Sequence, residues 1–417
     1  MTAKPFKKIA KWLSLLLLGL LLLVLALVMA IYTPWVQDAA RQAVVNMMNR
    51  KPGTEFALES LRIRFPLEVT AGSLCWKQNG DTMVAVESLN ADVRPLALLR
   101  GEVDVAEADL LNGVYNLGNT DSATMIRIHA DSVHISPAKV RLSPMDISVD
   151  DGLIDGGRVS LWLNPDPPKT PTDTAAANPL TVRVRNLDVR RLGFDMQMLP
   201  TIDSLCVMIG SARLQNGAID LKAQTVDIGS FTGNALDAAY IAADSATIAN
   251  TRVAPVDSTA APAKPWQVRV KEFAFDHSRG LYTTAGYKPL PGLDFGYIQV
   301  GDLSLSANDF YNCATTVDIP LKVHGTERCG VTLTADGTLH VTADGLKFDK
   351  FNVTTPNGTT LAADGSMGMG DMATDPSIPV QLTATGKVSV ADVRPMFPVR
   401  KPYLAPFGAR SALSADM

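Results

Sequence analysis

No signature of catalysis occurs in this sequence. It has no GxSxG elbow, no HExxH pair, no GxxxxGK[ST] loop and no GxGxxG after a strand. The nearest glycine-rich run, Gly365 to Gly370, lacks the lysine and the helix that a phosphate site requires. The chain is therefore read as a non-enzyme without cofactor or metal. Histidine is scarce, with five in 417 residues. His129 and His134 stand five apart in a strand-like stretch, which places them on opposite faces unless a bulge intervenes. His277, His324 and His340 have no partner motif and read as surface or turn residues.

Cysteine is equally scarce. Cys75, Cys206, Cys313 and Cys329 are too few for a disulfide scaffold and show no CxxC or zinc spacing. They read as apolar fillers, with a bridge between Cys313 and Cys329 across neighbouring strands as the alternative in an oxidising compartment. Basic excess is missing too: the formal charge is −4, and setting aside Lys4, Lys7, Lys8 and Lys11 leaves −8 for the rest. That excludes a phosphate-binding exterior, so nucleic acid is not an expected partner. Aromatics, at 6%, are too sparse for a thick packed core.

What the sequence does have begins at its N-terminus. No charged residue lies between Trp12 and Gln37, and the apolar run from Leu13 to Ile31 matches the ~20 residues that cross a bilayer core. The four preceding lysines predict a cytoplasmic N-terminus and an exported remainder. Lys7, Lys8 and Lys11 with Trp12 on one side, and Tyr32 and Trp35 on the other, suit the two membrane interfaces. A cleaved signal peptide is the rival, but its apolar stretch is usually about 7 to 15 residues.

Next, Val36, Ala39, Ala40, Ala43, Val44, Met47 and Met48 recur at helical spacing, opposite Gln37, Asp38, Arg41, Gln42, Asn46 and Asn49. This predicts a short amphipathic helix that either caps the first strands or lies on the membrane surface. From Thr54 the period becomes two. Val182 and Val184 alternate with Arg183 and Arg185, and Ile219, Leu221 and Ala223 with Asp220, Lys222 and Gln224. Val331, Leu333 and Ala335 alternate with Thr332 and Thr334, and Leu339 and Val341 with His340 and Thr342. Alternation of this kind gives a sheet one oily face and one wet face.

Asn112-Gly113, Asp151-Gly152, Asn216-Gly217, Asp336-Gly337, Asp344-Gly345, Asn357-Gly358 and Asp364-Gly365 read as hairpin turns, which predicts an antiparallel meander. About twenty such strands would span on the order of 100 Å. Pro-rich stretches at 164–179 and 254–265 interrupt it. The predicted organisation is a cytoplasmic tip and anchor (1–35), a juxtamembrane helix (36–53), three β blocks (54–163, 180–253 and 266–393) and a Pro-rich end (394–417). The ending without an obvious last strand is read as the N-terminal part of a longer protein. A one-sided sheet without covering helices must close, pack on a second sheet or enclose something apolar. Groove and sandwich both fit the composition.

Residues 57–66 (ALESLRIRFP), 80–84 (GDTMV) and 89–105 (LNADVRPLALLRGEVDV), following a single span and an amphipathic helix, resemble the first segment of the AsmA-like superfamily. Within it, the Bacteroidota-type TamB translocation and assembly modules are the nearest likeness. Ile319 to Leu321, Glu327 to Leu333 and Phe351 to Leu361 resemble a later stretch of such proteins, in which a helical E-x-x-G-L element precedes a strand pair. Asp92-Val93-Arg94-Pro95 returns as Asp392-Val393-Arg394-Pro395, a four-residue repeat. The likeness implies a mainly β fold, a long, curved, antiparallel groove behind an N-terminal transmembrane helix, with short amphipathic helices. It implies a single-pass protein of the bacterial inner membrane whose bulk is periplasmic, carrying phospholipid along an apolar β-groove toward the outer membrane. Its candidate lining is Val182, Val184, Ile219, Leu221, Val331, Leu333, Leu339 and Val341. The alternative within the same likeness is an assembly or translocation scaffold for outer-membrane barrels, with a BamA/TamA-type barrel protein as partner.

Overall fold

A computed structural model of the chain describes residues 29–98, 100–118, 124–142, 145–163, 180–198, 203–243, 267–313, 316–342, 345–368, 380–397 and 412–416. The expected span and its four lysines lie outside these residues, apart from Met29 to Ile31. Among the described residues, no helix is long and apolar enough to cross a membrane.

Helix α1 (Pro34–Met48) leads into β1 (Thr54–Arg64), β2 (Glu68–Gln78) and β3 (Asp81–Val93). A single turn, α2 (Pro95–Leu98), precedes β4 (Glu102–Leu117), β5 (Thr124–Leu142), β6 (Met145–Leu163), β7 (Leu180–Met198), β8 (Asp203–Asp220) and β9 (Thr225–Ala242). There follow β10 (Gln267–Thr284), β11 (Tyr297–Cys313), β12 (Thr316–Glu327), β13 (Thr332–Thr342), β14 (Gly345–Thr354), β15 (Thr360–Gly368) and β16 (Val380–Ser389), then helix α3 (Val390–Met396) and β17 (Ala412–Asp416). Each strand pairs with its neighbours in chain order, forming one curved sheet that is not closed. The seventeen strands among the described residues, at ~4.8 Å each, reach roughly 75–80 Å, against the order of 100 Å expected from about twenty. The strands are longest at β5, β6 and β7, with 19 residues each, and shorten to 9 at β15.

The meander is not wholly antiparallel. β6–β7 and β9–β10 pair in parallel, Ile147 facing Val182 and Val226 facing Val268. A parallel pair needs a connection of a dozen residues or more, and the two Pro-rich stretches fall at these junctions. The composition breaks therefore mark the two places inside one sheet where strand direction is kept instead of reversed.

Most of the expected hairpin turns are not turns. Asn112-Gly113, Asp151-Gly152, Asn216-Gly217, Asp336-Gly337 and Asp364-Gly365 lie inside β4, β6, β8, β13 and β15. Asn357-Gly358 does form the β14–β15 turn; of Asp344-Gly345, Gly345 begins β14 and Asp344 lies outside the described residues. A two-residue hairpin loop is supplied by Asn79-Gly80, both at positive φ, between the paired residues Gln78 and Asp81. The reason for the mismatch is that bulges demand the same left-handed backbone as tight hairpins.

These irregularities are aligned. In β5–β6 the register passes from Ala130/Gly157 to Ser132/Asp155, and from Ser136/Asp151 to Ala138/Val149. At the same levels β6–β7 passes over Arg191 and Arg185, and β7–β8 over Gly210 and Asn216. Each strand carries its own extra residue, so register is kept while the side-chain alternation flips. Asn112, Gly156, Arg191 and Ala235 hold φ between 46° and 79° along one seam, and Asn216 and Asp309 hold 54° and 55° along the other. Bulges bend strands, so two aligned rows crease the sheet lengthwise.

Candidate functional site

The flips keep one face apolar from end to end. In β7 that face carries Val182 and Val184, then Leu187 and Val189, then Leu192 and Phe194; each triplet step follows a seam. Directly opposed residues continue it sideways: Val103, Val140, Ile147, Val182, Ile219, Val226 and Val268 form one row across β4 to β10. Val317, Val341, Leu346 and Met367 extend the row over β12 to β15, with Asn312 of β11 its polar interruption. Near the other strand ends, Leu161, Met196, Leu205, Tyr240, Tyr282 and Ile298 make a second row. Val189, Ala212 and Phe275 between the seams, with Ile209 just beyond the Gly210 seam, pack with Phe231 and Phe273 as the most buried part of the face.

The opposite face is a lattice of cross-strand ion pairs. Arg183 reaches Asp146 at 2.5 Å, Arg191 reaches Asp155 at 2.8 Å, Arg158 reaches Asp195 at 2.7 Å and Arg213 reaches Asp188 at 2.6 Å. The Arg213 hydrogen bond holds the Asp188 carboxyl below its ordinary range, against the opposing effect of burial. Exposed pairs contribute only ~0–1 kcal/mol each, so they define the wet face more than they stabilise it.

No second layer covers the oily face among the described residues: close packing joins only neighbouring strands, α1 to β1, α2 to β4 and α3 to β16. Ile219, Met367 and Leu382 on that face remain 39%, 41% and 59% exposed. A sandwich would bury them.

Of the candidate lining residues, Val182, Val184, Ile219, Leu333, Leu339 and Val341 stand on the apolar face. Leu339 faces Ile319 and Phe348, and Leu333 faces Gly325. Leu221 and Val331 lie beyond the strands. β8 ends at Asp220, so the predicted alternation through Gln224 gives way to a turn in which Leu221 N–H donates to the Leu180 carbonyl. Val331 is 4% exposed in the β12–β13 turn, where its carbonyl accepts from Glu327 N–H. The helical element expected before this strand pair is a turn, residues 328–330.

The cysteine bridge does not form. Cys313 ends β11 and Cys329 follows β12, so they sit at opposite ends of β12, roughly 35–40 Å apart along its 12 residues, and both thiols are free. Burial, reinforced by the Glu327 carboxylate, pushes the Cys329 thiol up to about 11. The four-residue repeat is not a structural repeat either. Asp92-Val93 close β3 at one rim of the sheet, whereas Asp392 to Pro395 lie within α3 at the other. A bulge at Asp131 does bring His129 and His134 to the same wet face. His134 Nδ1 is 2.8 Å from Asp109 and 3.8 Å from Glu107, an exposed group of three whose ligand atoms lie within 4.8 Å of one another. His129 pairs with Asp131 instead, at 3.4 Å.

The amphipathic helix docks with its polar side inward. Gln37, 3% exposed, donates to the Ile63 carbonyl at 2.6 Å; Arg41 donates to Leu58 at 2.9 Å; Asn49 exchanges two bonds with Phe56. These are carbonyls and an amide on the outer edge of β1, so α1 caps that edge, one of the two roles expected of it. Trp35, Val44 and Met47 face outward.

Sequence reasoning missed a closed corner beyond β16. There Asp392, 3% exposed, accepts from Thr355 Oγ1 at 2.5 Å, Thr359 Oγ1 at 2.6 Å and Asn357 Nδ2 at 2.7 Å. Burial works against ionisation, but the three donors together hold this carboxyl below its ordinary range. Met396 accepts from Leu293 N–H, and Arg328 donates to the Leu290 and Gly292 carbonyls, so α3, the 285–296 loop and the β12–β13 turn meet. The signal in the sequence was local: Thr-Pro-Asn-Gly-Thr is a turn with three side chains able to donate.

Compared with protein-family models, with curated proteins and with solved structures, the chain matches none.

Proposed function

We propose that this chain is a membrane-anchored, periplasmic conduit for phospholipid, in which acyl chains lie along the apolar face while headgroups stay wet. The observation that carries this reading is the apolar row that continues from strand to strand, with no second layer over it among the described residues, where Ile219 is 39% and Met367 41% exposed. Each CH₂ moved out of water contributes ~0.8 kcal/mol, so a long acyl chain needs continuous oily wall and no special pocket. Photo-crosslinking side chains at Ile219 and Leu333 are expected to give phospholipid adducts. Ile219→Asp with Leu333→Asp in the whole protein is expected to stop lipid transfer while the sheet persists. Normal transfer by that variant would sink the idea, and adducts to barrel strands in place of lipid would support an assembly scaffold.

A further inference from the structure

The apolar face is not the molecule's only uncovered apolar surface. At the β1–β2 turn Phe65 is 79% exposed, and beside it Leu96 and Leu98 of α2 are 75% and 45% exposed. The two tips are joined: Val93 N–H donates to the Leu67 carbonyl, and Ala97, 2% exposed, turns inward so that its two leucine neighbours turn out. Tyr32 also reaches this corner, its ring edge-on to Phe65 at 6.1 Å and its hydroxyl donating to the Pro66 carbonyl at 2.7 Å. Met29 and Ile31, immediately before it, are 63% and 41% exposed.

We infer that this corner rests on a lipid bilayer, with Phe65, Leu96 and Leu98 set into the interface beside the emerging anchor. The inference rests on the reading of Leu13 to Ile31 as a span, and it deepens the proposed function by fixing which corner of the sheet meets the membrane. Tyr32 ties the last residues of that run to Phe65, so a bilayer holding the run reaches the turn tips. A second protein is disfavoured by the same geometry, because the membrane already occupies the adjacent space.

Charge adds little to this contact. Three arginines of the corner are matched by carboxylates, Arg64 with Glu68 at 3.4 Å, Arg94 with Asp104 at 3.3 Å and Arg62 with Asp38 at 2.9 Å, which leaves exposed Arg100, just after α2, without an ion pair among the described residues. Apolar insertion must then supply the attachment, so it should not need anionic lipid and should resist salt.

The test uses the full-length protein in phosphatidylcholine bilayers containing acyl-chain spin-labelled lipid. An environment-sensitive fluorescent residue replaces Phe65, Leu96 or, as the exposed apolar control at the opposite rim, Leu290. Quenching at 65 and 96 is expected to be several-fold stronger than at 290 and to survive molar salt. Equal quenching at the three sites, none at 65 and 96, or its loss in salt would overturn the inference. The crosslinks from Ile219 and Leu333 separate this outcome from the fate of the conduit: lipid adducts without quenching at 65 and 96 reject the docked corner alone, and quenching without adducts rejects the conduit alone.

Discussion

Phe275 of β10 lies over Gly233 of β9, its partner in the parallel register. A Cβ built at Gly233 would stand 2.8 Å from Phe275 Cε1 and 2.3 Å from the Ser211 carbonyl oxygen. The ring is 0% exposed and packs edge-on against Phe231 at 5.3 Å, so it has nowhere to move. Gly233→Ala should therefore cost ~1–3 kcal/mol, the usual effect of overpacking. Gly280→Ala in β10 meets only Leu303, at 3.6 Å, and should unfold in denaturant close to the parent midpoint. Matching midpoints for both variants would contradict this packing.

The contrast between Asn216-Gly217 and Asn79-Gly80 explains what could be read beforehand. Both dipeptides advertise left-handed backbone; one makes a mid-strand bulge and the other a hairpin, because flanking residues decide whether the chain continues or reverses. The one-sided alternation of Val182/Arg183 and Leu339/His340 was legible, since period two depends on local geometry alone. The parallel joints were not, because Ile147 meets Val182 through a connection whose direction no local pattern records. Leu221 and Val331 were misplaced for a related reason: alternation does not announce where a strand stops. The α1 face was legible as amphipathic, yet its polar side went inward because the edge of β1 offers hydrogen-bonding groups rather than oil.

Arg191 sits in a seam at φ 52° and also pairs with Asp155. A β-branched residue is penalised there by ~1–2 kcal/mol, whereas glycine adopts the conformation freely. Arg191→Val should destabilise more than Arg191→Gly, even though both remove the same exposed ion pair. Equilibrium unfolding of the two variants checks this, and the reverse order would mean that the ion pair outweighs the backbone.

At the closed corner, Asp392 links pH to local order. Its folded carboxyl titrates below the ordinary value of ~3.9, so its stabilisation is fully present above that pH and is lost as pH falls through the lower, folded value. Amides of residues 355–359 and 390–396 should exchange faster as the solution is taken below about pH 4. Asp392→Ala strands three donors and should bring that faster exchange to neutral pH, at ~1–3 kcal/mol. Protection unchanged at neutral pH would show that α3 is held by other contacts.

The thiols offer a chemical check. With its thiol pushed to about 11, Cys329 is almost wholly protonated at pH 8 and should alkylate slowly. Non-reducing peptide mapping after mild oxidation should recover Cys313 and Cys329 unlinked. A Cys313–Cys329 peptide pair from monomeric protein would contradict the placement of these residues at opposite ends of β12.

The cap on β1 makes the strongest prediction about solution behaviour. An open edge strand presents unpaired carbonyl and amide groups that recruit other strands, and α1 meets several of them with side chains: Gln37 at Ile63, Arg41 at Leu58, Asn49 at Phe56. Gln37→Leu keeps the size of the side chain but leaves the Ile63 carbonyl without that donor, which should cost ~1–3 kcal/mol. Adding Asn49→Ala removes the amide pair with Phe56 and should free the strand edge. Because close packing joins α1 to β1 and not to the remaining strands, the damage should stay local: faster hydrogen exchange in 34–64, parent-like exchange from β3 onward, and concentration-dependent association by light scattering. Association without faster exchange would instead implicate the outward Trp35 and Met47 of α1, and an unchanged monomer would show that the side-chain cap is dispensable for guarding this edge.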